Sequence, residues 1–268
     1  MNIHAVSDLH LGKQKWQGRG KKDLNSLMSI EDIDILYCGG DVGQTFLDFQ
    51  EAVLLLSKIK AKHKLWVCGN HDLYMAKCSL LSYEQEIQDL IEEAGFKLLD
   101  LSPVVINRTA FVGNIGWYDG SLWKPSQRVD DRYPNTYQDT AVRAEKAFSS
   151  AEDYGLIPKG YTNLQFFNLV QSRLREHLDF VSKDSSIDKI VLGTHFVPHE
   201  DFLLYENTSS FDYENWFMGF DGRDLYKNYS KIVQGLTGHT HRHHTVYMSG
   251  VPVQNISGWN QPTIVSIP

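Results

Sequence analysis

The stretch "GHTHRHHT", residues 238 to 245, contains four histidines, although the whole chain has only 11. They are His239, His241, His243 and His244. Histidine is largely uncharged at neutral pH, so the cluster adds little to solubility, whereas its ring nitrogens are common metal ligands. The segment is therefore either a polar, histidine-rich hairpin or part of a metal site, and the rest of the chain must decide between them.

Further residues that could bind a metal follow short apolar runs of the sequence. They are Asp8 and His10 after "IHAV", Asp41 after "DILYC", Asn70, His71 and Asp72 after "LWVC", and His195 after "KIVLGT". Apolar runs of about four to eight residues are typical of strands buried in a sheet. Ligand sites of open α/β sheets lie beyond the carboxyl ends of the strands, so we expect these side chains to converge on one crevice.

Segments with helical spacing of apolar residues lie between several of these strands. The spacing predicts helices over residues 46–60, 82–94 and 163–182, the last with Asn163 as its N-cap. The buried stripe of that last helix is predicted to be Phe167, Val170, Leu174, Leu178 and Val181. Alternating strands and helices indicate an α/β fold. We expect residues 1–268 to form a single domain, with irregular or helical cap-like segments at about 117–185 and 201–226.

The composition argues against several kinds of partner. The net charge is −7 and the isoelectric point is about 5.9, so the chain lacks the basic surface of a dedicated binder of nucleic acids or anionic membranes. No apolar run approaches the roughly 18 residues of a membrane span, and the N-terminus lacks a signal-peptide pattern. Three cysteines without regular spacing favour a reducing compartment, with Cys38 and Cys68 as buried strand residues. A cytoplasmic location is therefore expected.

Five short blocks follow one another along the chain. They are Asp8-x-His10, Gly40-Asp41, Gly69-Asn70-His71-Asp72, Thr194-His195 and Gly238-His239-Thr240-His241. In these blocks, their order and their spacing, the sequence resembles the calcineurin-like metallophosphoesterase family. The Asp-x-His, Asn-His-Asp and Gly-His-x-His forms are similar to the branch that includes cyclic-nucleotide phosphodiesterases. The resemblance implies an α/β/β/α sandwich of two mixed sheets with helices outside.

The resemblance also implies two divalent or trivalent metal ions. Asp8, His10, Asp41 and His241 would hold one ion, and Asp41, Asn70, His195 and His239 would hold the other, with Asp41 bridging them. Oxygen and nitrogen ligands without a thiolate suit manganese, iron or zinc. If "HTH" is extended, His239 and His241 point to the same side of the chain, one toward each ion. Strand-end glycines Gly40, Gly69 and Gly238 would allow tight turns beside the ligands.

The resemblance makes His71 and the bridging Asp41 the catalytic residues. His71 would donate a proton or a hydrogen bond to the leaving-group oxygen. In some relatives, a carboxylate three residues after the bridging aspartate orients this histidine. That position here is Gln44, so the means by which His71 is oriented stays open.

The expected function is hydrolysis of a phosphate monoester or diester of a small molecule, by attack of a metal-bridging hydroxide. The blocks do not choose between the two ester types, and the oligomeric state is not predicted. One alternative is a nuclease of the same fold, against which the acidic net charge counts. The other is a non-catalytic metal-binding scaffold or interaction protein, against which the complete ligand set counts.

Several other residues keep two interpretations. Trp117 and Tyr118 either line a substrate pocket or pack in the core. His199, His243 and His244 either contribute to the site or are solvated. The arginines of the irregular segments, namely Arg128, Arg132 and Arg223, either contact a phosphate in a fork geometry or lie in solvent.

Overall fold

The computed structural model describes residues 1–12, 19–73, 80–122, 160–203, 217–257 and 262–267. These residues form two mixed sheets that pack face to face, with helices on both outer faces. The predicted α/β class and the α/β/β/α sandwich are therefore confirmed.

The first sheet contains five strands. They are β1 (Asn2–Val6), β2 (Ile33–Cys38), β3 (Ala61–Trp66), β4 (Lys97–Leu98) and β11 (Thr263–Ser266), in the spatial order β11-β1-β2-β3-β4. Strands β1 to β4 run parallel, and β11 pairs antiparallel with β1. Because β1, β2 and β3 are parallel neighbours, their carboxyl ends lie at the same edge of the sheet.

The second sheet contains six strands. They are β5 (Val104–Ile106), β6 (Thr109–Asn114), β7 (Lys189–Thr194), β8 (Ile232–Thr237), β9 (His244–Met248) and β10 (Val251–Asn255), in the order β5-β6-β7-β8-β10-β9. The four inner strands run parallel, whereas β5 and β9 pair antiparallel with their neighbours. The carboxyl ends of β7 and β8 therefore also share one edge.

Apolar side chains from both sheets fill the space between them. This inner layer includes Ile3, Ile35, Leu65, Phe111 and Val191, which come from β1, β2, β3, β6 and β7 and are all buried. Complete burial of one such side chain contributes about 1.5–3 kcal/mol. The packed layer fixes one sheet on the other, so the strand ends of both sheets keep a defined spacing.

Six helices are found among the described residues. They are α1 (Arg19–Met28), α2 (Phe46–Ser57), α3 (Asn70–Leu73), α4 (Leu80–Glu93), α5 (Asn163–Lys183) and α6 (Arg223–Asn228). Apolar residues of α1, α2 and α4 pack on the outer face of the first sheet, and those of α5 and α6 pack on the second. The three predicted helices are thus present, although α2 ends at Ser57 rather than at residue 60 because β3 begins at Ala61.

The first turn of α5 differs from the prediction. Its N-cap is Thr162, not Asn163, because the Thr162 hydroxyl accepts the Gln165 N–H while the Gln165 side chain accepts the Thr162 N–H. Asn163 instead accepts a hydrogen bond of 2.7 Å from the Trp117 indole. The other residues of the predicted stripe are buried. Phe167 is only partly buried, and its neighbour Phe166 is buried instead.

The cap-like segments are described only in part. Within 117–185 the structure describes 117–122 and the region around α5, and within 201–226 it describes the two ends, with a short 3-10 helix at Glu200–Phe202. Cys38 is buried in β2 as predicted, whereas buried Cys68 lies two residues past the end of β3. Among the described helices, none combines the length and the apolar character needed to span a bilayer.

Candidate metal centre

The carboxyl ends of five strands, three from the first sheet and two from the second, meet at one edge of the sandwich. Asp8, Asp41 and Asn70 follow β1, β2 and β3, and His195 and His239 follow β7 and β8. Backbone hydrogen bonds of 2.9 Å tie these loops together, from Asp8 N–H to the Gly40 carbonyl and from Gly238 N–H to the His195 carbonyl. The structure thereby brings the seven predicted ligands and His71 into one group.

Most of the predicted ligands have a left-handed backbone, which residues other than glycine rarely adopt. The φ angles are 58° at Asp8, 43° at His10, 57° at Asp41, 69° at His239 and 54° at His241. Each such residue costs of the order of 1–3 kcal/mol, so it persists only where the surroundings hold it. Local strain is therefore concentrated on the residues that were predicted to bind metal.

Asp8, His10, Asp41 and His241 form the first cluster of ligand atoms. His10 Nε2 lies 2.9 Å from His241 Nε2, 3.9 Å from Asp8 Oδ1 and 3.8 Å from Asp41 Oδ2. His241 Nε2 lies 3.2 Å from Asp8 Oδ1. The two imidazoles and the two carboxylates therefore face a common point.

Asp41, Asn70, His195 and His239 form the second cluster. His195 Nε2 lies 3.1 Å from Asn70 Oδ1 and 3.3 Å from Asp41 Oδ2, and the His195 and His239 rings are 5.2 Å apart. His239 Nε2 is buried and has no hydrogen-bond partner among the described residues, which is uncommon for a buried polar atom. Asp41 Oδ2 faces both clusters and joins them.

Neighbouring groups orient the ligand side chains. The Ser7 hydroxyl donates to Asp8 Oδ2 at 2.5 Å, and the His239 backbone N–H donates to the same carboxylate at 3.1 Å. His195 Nδ1–H donates to the Gly39 carbonyl at 2.7 Å, so Nε2 is the nitrogen that faces the second cluster. Such hydrogen bonds fix the ring orientation and the tautomer of metal-binding histidines.

The role of Asp72 was missed in the sequence analysis. Its carboxylate accepts the N–H groups of Asp41 (3.1 Å), Val42 (3.3 Å) and Gly69 (2.9 Å), and so joins the loops after β2 and β3. Its position directly after Asn70 and His71 was the only feature of the sequence that could have indicated this role. The structural role predicted for the glycines is confirmed here, since a Cβ at Gly69 would collide with the Asp41 carboxylate and Gly40 has φ of 87°.

Four of the clustered groups, namely Asp8, Asp41, His10 and His239, have ionisation states that favour metal binding. Burial opposes charge on Asp8 and Asp41, but the adjacent histidines lower the pKa of both carboxyls below the ordinary value. Burial lowers the pKa of His10 to about 4 and that of His239 to about 3, so both rings are neutral at pH 7. Ionised carboxylates and neutral imidazoles are the forms that bind metals.

The local geometry predicted for "HTH" is wrong. Strand β8 ends at Thr237, and both His239 and His241 are left-handed rather than extended. The two rings reach separate clusters because the chain turns between them, not because they share one side of a strand. His243 and His244 are exposed, His243 Nε2 lies 3.1 Å from the side-chain amide of Gln254, and β9 begins at His244. The structure thus favours the solvated interpretation for these two histidines.

Two groups hold His71 beside the first cluster. Its backbone N–H donates to Asp41 Oδ1 at 2.7 Å, and its Nδ1 lies 3.1 Å from the side-chain amide of Gln44. The same amide lies 2.6 Å from His10 Nδ1. Gln44 therefore contacts His71 from the position at which some relatives have a carboxylate.

Trp117 and Tyr118 lie in the core rather than in an open pocket, with exposed fractions of 1% and 2%. Their rings stack 4.9 Å apart, and both pack near Phe196. The Phe196 ring lies 4.3 Å from the His239 ring. These aromatic rings therefore pack against His239, a residue of the second cluster.

The remaining candidates have local roles or lie outside the described residues. His199 Nδ1 accepts the Asp201 N–H at 3.1 Å and caps the short 3-10 helix. Arg223 pairs with Asp221 through its guanidinium group. Arg128 and Arg132 lie outside the described residues.

The residues present fit a metal centre by two criteria. In each of the sets Asp8, His10 and His241, and Asp41, His195 and His239, the ligand atoms lie within 4.8 Å of one another. The unpartnered Nε2 of His239 also points to a missing ligand. His10, Asp41 and His71 form a third set with the same spacing, but the contact of His71 with Gln44 favours a role beside the ions.

Histidines and carboxylates meet at the strand ends of a two-sheet sandwich, as expected for a metal-dependent phosphoester hydrolase. Comparison with known protein families leads to the same class. The model of the calcineurin-like phosphoesterases matches residues 1–243. The chain belongs to this family, which makes it a metal-dependent phosphoester hydrolase. No protein of curated function has a significantly similar sequence.

Two solved structures show the same fold at low sequence identity. The phosphopantetheinyl hydrolase of Mycobacterium tuberculosis superposes with a TM-score of 0.71 at 20% identity, over 97% of this chain and 90% of that one. A Staphylococcus aureus protein named as a 5'-nucleotidase superposes with a TM-score of 0.51 at 13% identity, over 95% of this chain but only 48% of its own length.

Proposed function

We propose that this protein is a dinuclear-metal phosphoesterase that hydrolyses a monoester or diester of a small phosphorylated molecule. The observation that supports this most strongly is the position of Asp41, whose Oδ2 lies 3.8 Å from His10 Nε2 and 3.3 Å from His195 Nε2. One carboxylate oxygen shared by two ligand clusters fits two adjacent cations better than one. The ions proposed are manganese, iron or zinc.

The protein residues have distinct tasks in this proposal. Asp8, His10 and His241 would hold one cation, Asn70, His195 and His239 would hold the other, and Asp41 would serve both. Two bound cations would supply the positive charge that attracts a phosphate ester and the Lewis acidity that activates an attacking water. The neutral Asn70 and the histidines add no negative charge that would cancel this attraction.

His71 is proposed to assist departure of the leaving group. Its backbone is fixed by Asp41 Oδ1, and its ring lies 4.7 Å from the ring of the proposed ligand His10, at an angle of 88°. A group beside the cations can donate a proton or a hydrogen bond to the ester oxygen as the bond to phosphorus breaks.

The first experiment compares p-nitrophenyl phosphate with bis-p-nitrophenyl phosphate, with Mn²⁺ and with a chelator. We expect chelator-sensitive hydrolysis and a metal content near two ions per chain. Asp41→Asn should lower kcat by at least about 100-fold, whereas Asp89→Asn, an exposed aspartate of α4, should leave it unchanged. Unchanged hydrolysis in Asp41→Asn would overturn the site assignment.

The preferred ester then directs the choice of natural substrates. Cleavage of the diester alone would lead to cyclic nucleotides and other small diesters, and phosphopantetheinyl compounds would be tested beside them because the mycobacterial structure is named a phosphopantetheinyl hydrolase. Preference for the monoester would lead to phosphorylated metabolites, including nucleotides. No cleavage of either ester, despite two bound ions, would favour a scaffold protein. Salt-dependent cleavage of DNA would favour a nuclease.

A further inference from the structure

The side chain of Gln44 links a proposed metal ligand to the proposed leaving-group histidine. Its amide nitrogen, Nε2, lies 2.6 Å from His10 Nδ1 and 3.1 Å from His71 Nδ1. The two rings stand almost perpendicular with their centroids 4.7 Å apart, so both Nδ1 atoms can face one amide. A single side chain thus contacts both histidines through their Nδ1 atoms.

The backbone around Gln44 is anchored on both sides. The Gln44 N–H donates to the Leu11 carbonyl at 3.2 Å, and Leu11 N–H donates to the Val42 carbonyl at 2.9 Å. The next residue, Thr45, is the N-cap of α2 and forms a capping box with Asp48. Since the backbone is held by the loop after β1 and by the start of α2, the amide has little freedom to move away from the two rings.

Metal binding at His10 defines which amide atom must face the rings. His10 Nε2 points into the first cluster, so a neutral ring that binds through Nε2 carries its proton on Nδ1. That Nδ1–H group would need an acceptor, which Nε2, the Gln44 atom at 2.6 Å, cannot be. Rotation of the amide by 180° would place Oε1 close to the position that Nε2 now has. An amide oxygen has two lone pairs and can accept two hydrogen bonds. The same Oε1 can therefore also accept the Nδ1–H of His71.

We propose that Gln44 is a positioning residue that holds His71 toward the leaving group through an amide oxygen shared with His10. This inference rests on the proposed function and extends it to the second half of the reaction. With its Nδ1–H bound by Gln44, His71 would contact the ester oxygen through Nε2.

An amide suits this position for an electrostatic reason. Asp8 and Asp41 already place two carboxylates within 4 Å of His10 Nε2. A third carboxylate at position 44 would oppose the attraction between the site and a phosphate ester. Glutamine provides the acceptor oxygen without the charge.

The kinetic test uses the variants Gln44→Met and Gln44→Glu. Methionine keeps the length of the side chain but removes the acceptor, and glutamate restores the acceptor. Gln50→Ala, an exposed glutamine of α2, serves as the matched control. Each variant is assayed with the p-nitrophenyl ester and with the corresponding phenyl ester, whose leaving group needs more assistance.

We expect Gln44→Met to lower kcat for the phenyl ester about 10- to 100-fold, with a several-fold smaller loss for the p-nitrophenyl ester and little change in KM. Gln44→Glu should recover most of the phenyl-ester kcat but raise KM, because its charge opposes the attraction of the anionic ester. In the His71→Ala background, Gln44→Met should have little further effect. Equal losses with both esters, or additive losses with His71→Ala, would overturn the inference while leaving the phosphoesterase proposal intact.

A second measurement does not depend on turnover. In the metal-free protein with ¹⁵N-labelled histidine, Gln44→Met should shift the Nδ1 resonances of both His10 and His71, whereas Gln50→Ala should shift neither. If only one ring responds, Gln44 does not link the two histidines and the inference fails. The NMR result tests the contact of Gln44 with both histidines even if the wild-type protein hydrolyses neither ester. Absence of hydrolysis would count against the proposed function and not against this contact.

Discussion

His195 Nε2 lies 3.3 Å from Asp41 Oδ2, at the point where the second cation is proposed to bind. The opposite ring nitrogen donates to the Gly39 carbonyl, so the ring cannot turn away. Burial opposes a charge on this ring, but Asp41, Asp8 and the Gly39 carbonyl raise the pKa of His195 to about 10. In the metal-free protein a proton on His195 therefore neutralises part of the buried carboxylate charge.

Metal binding should release this proton. At pH 8 His195 is protonated in the metal-free protein, whereas His10 and His239, with pKa values of about 4 and 3, are already neutral. We expect release of close to one proton from His195 when the second site fills. Affinity at that site should rise up to about tenfold per pH unit between pH 7 and 9. Calorimetric titration with Mn²⁺ in buffers of different ionisation enthalpy measures the number of protons released per ion bound.

The variant Asp41→Asn provides the control for proton release. Removal of the carboxylate removes the largest influence that raises the pKa of His195. The variant should then bind metal weakly and release far less than one proton at pH 8. A wild-type affinity that does not change between pH 7 and 9 would contradict the assignment of His195 as a protonated partner of Asp41.

Asp100 should make the stability of the metal-free protein depend on pH. It accepts the N–H groups of Cys68 and Ile115, both at 2.9 Å, and so joins the loops after β3 and β6. Burial raises its pKa to about 7. Between about pH 4 and 7 this carboxyl therefore holds a proton in the folded state that it lacks in the unfolded state, so its own contribution to the free energy of unfolding falls as the pH rises through that range. The slope is at most about 1.4 kcal/mol per pH unit.

Urea unfolding with a chelator from pH 4.5 to 7.5 tests the role of Asp100. Asp100→Asn should remove only the Asp100 contribution and so make the slope more positive than in the wild type. Asp72, whose pKa burial and the charge of Asp41 raise to about 7, acts in the same direction as Asp100, whereas His10 and His239, with pKa values of about 4 and 3, act in the opposite direction. The control Asp89→Asn should leave the slope unchanged. Identical slopes for Asp100→Asn and the wild type would show that Asp100 is ionised throughout this range.

Removal of the Tyr37 hydroxyl should stabilise the protein. Tyr37 is buried between the sheets, and its hydroxyl has no hydrogen-bond partner among the described residues. The hydroxyl also lies where a Cβ at Gly193 would be. Because an unsatisfied buried hydroxyl costs about 1–3 kcal/mol, Tyr37→Phe should raise the free energy of unfolding by about 1 kcal/mol.

The control for Tyr37→Phe is Tyr229→Phe, whose hydroxyl donates to Asp179 at 2.8 Å. That change should leave the free energy of unfolding unchanged or lower it slightly. Both variants can be compared by urea unfolding at pH 7. A loss of 1 kcal/mol or more in Tyr37→Phe, on the scale of a lost hydrogen bond, would mean that the hydroxyl does have a partner.

The capping box of α5 should contribute measurably to stability. Thr162→Ala removes the acceptor for the Gln165 N–H and should lower the free energy of unfolding by about 1 kcal/mol. Thr162→Ser keeps the hydroxyl and should cost much less. The same loss in both variants would show that the methyl group of Thr162, not the cap, is what matters.

Much of the fold was predictable from local patterns. Most apolar runs that precede a potential ligand are strands, because a buried parallel strand needs apolar side chains on both faces. The run "LWVC" differs, since β3 covers Ala61–Trp66 and ends within that run. The three predicted helices exist because their apolar spacing matches the helical period. The cap of α5 was misplaced by one residue, since Thr162 and Asn163 are both good caps; the capping box with Gln165 selects Thr162, while Asn163 accepts a hydrogen bond from Trp117.

The sequence by itself determined the chemistry available to this protein: which carboxylates, amides and imidazoles follow the strands, and in which order. The tertiary structure decided how they meet. It brings His10 and Gln44, 34 residues apart, into one hydrogen bond, and places Asp41 Oδ2 between His10 and His195. Local residue patterns encode the period of a helix or a strand, but not the left-handed turns at His239 and His241. Those turns exist because packing of two sheets and hydrogen bonds between distant loops outweigh the backbone cost.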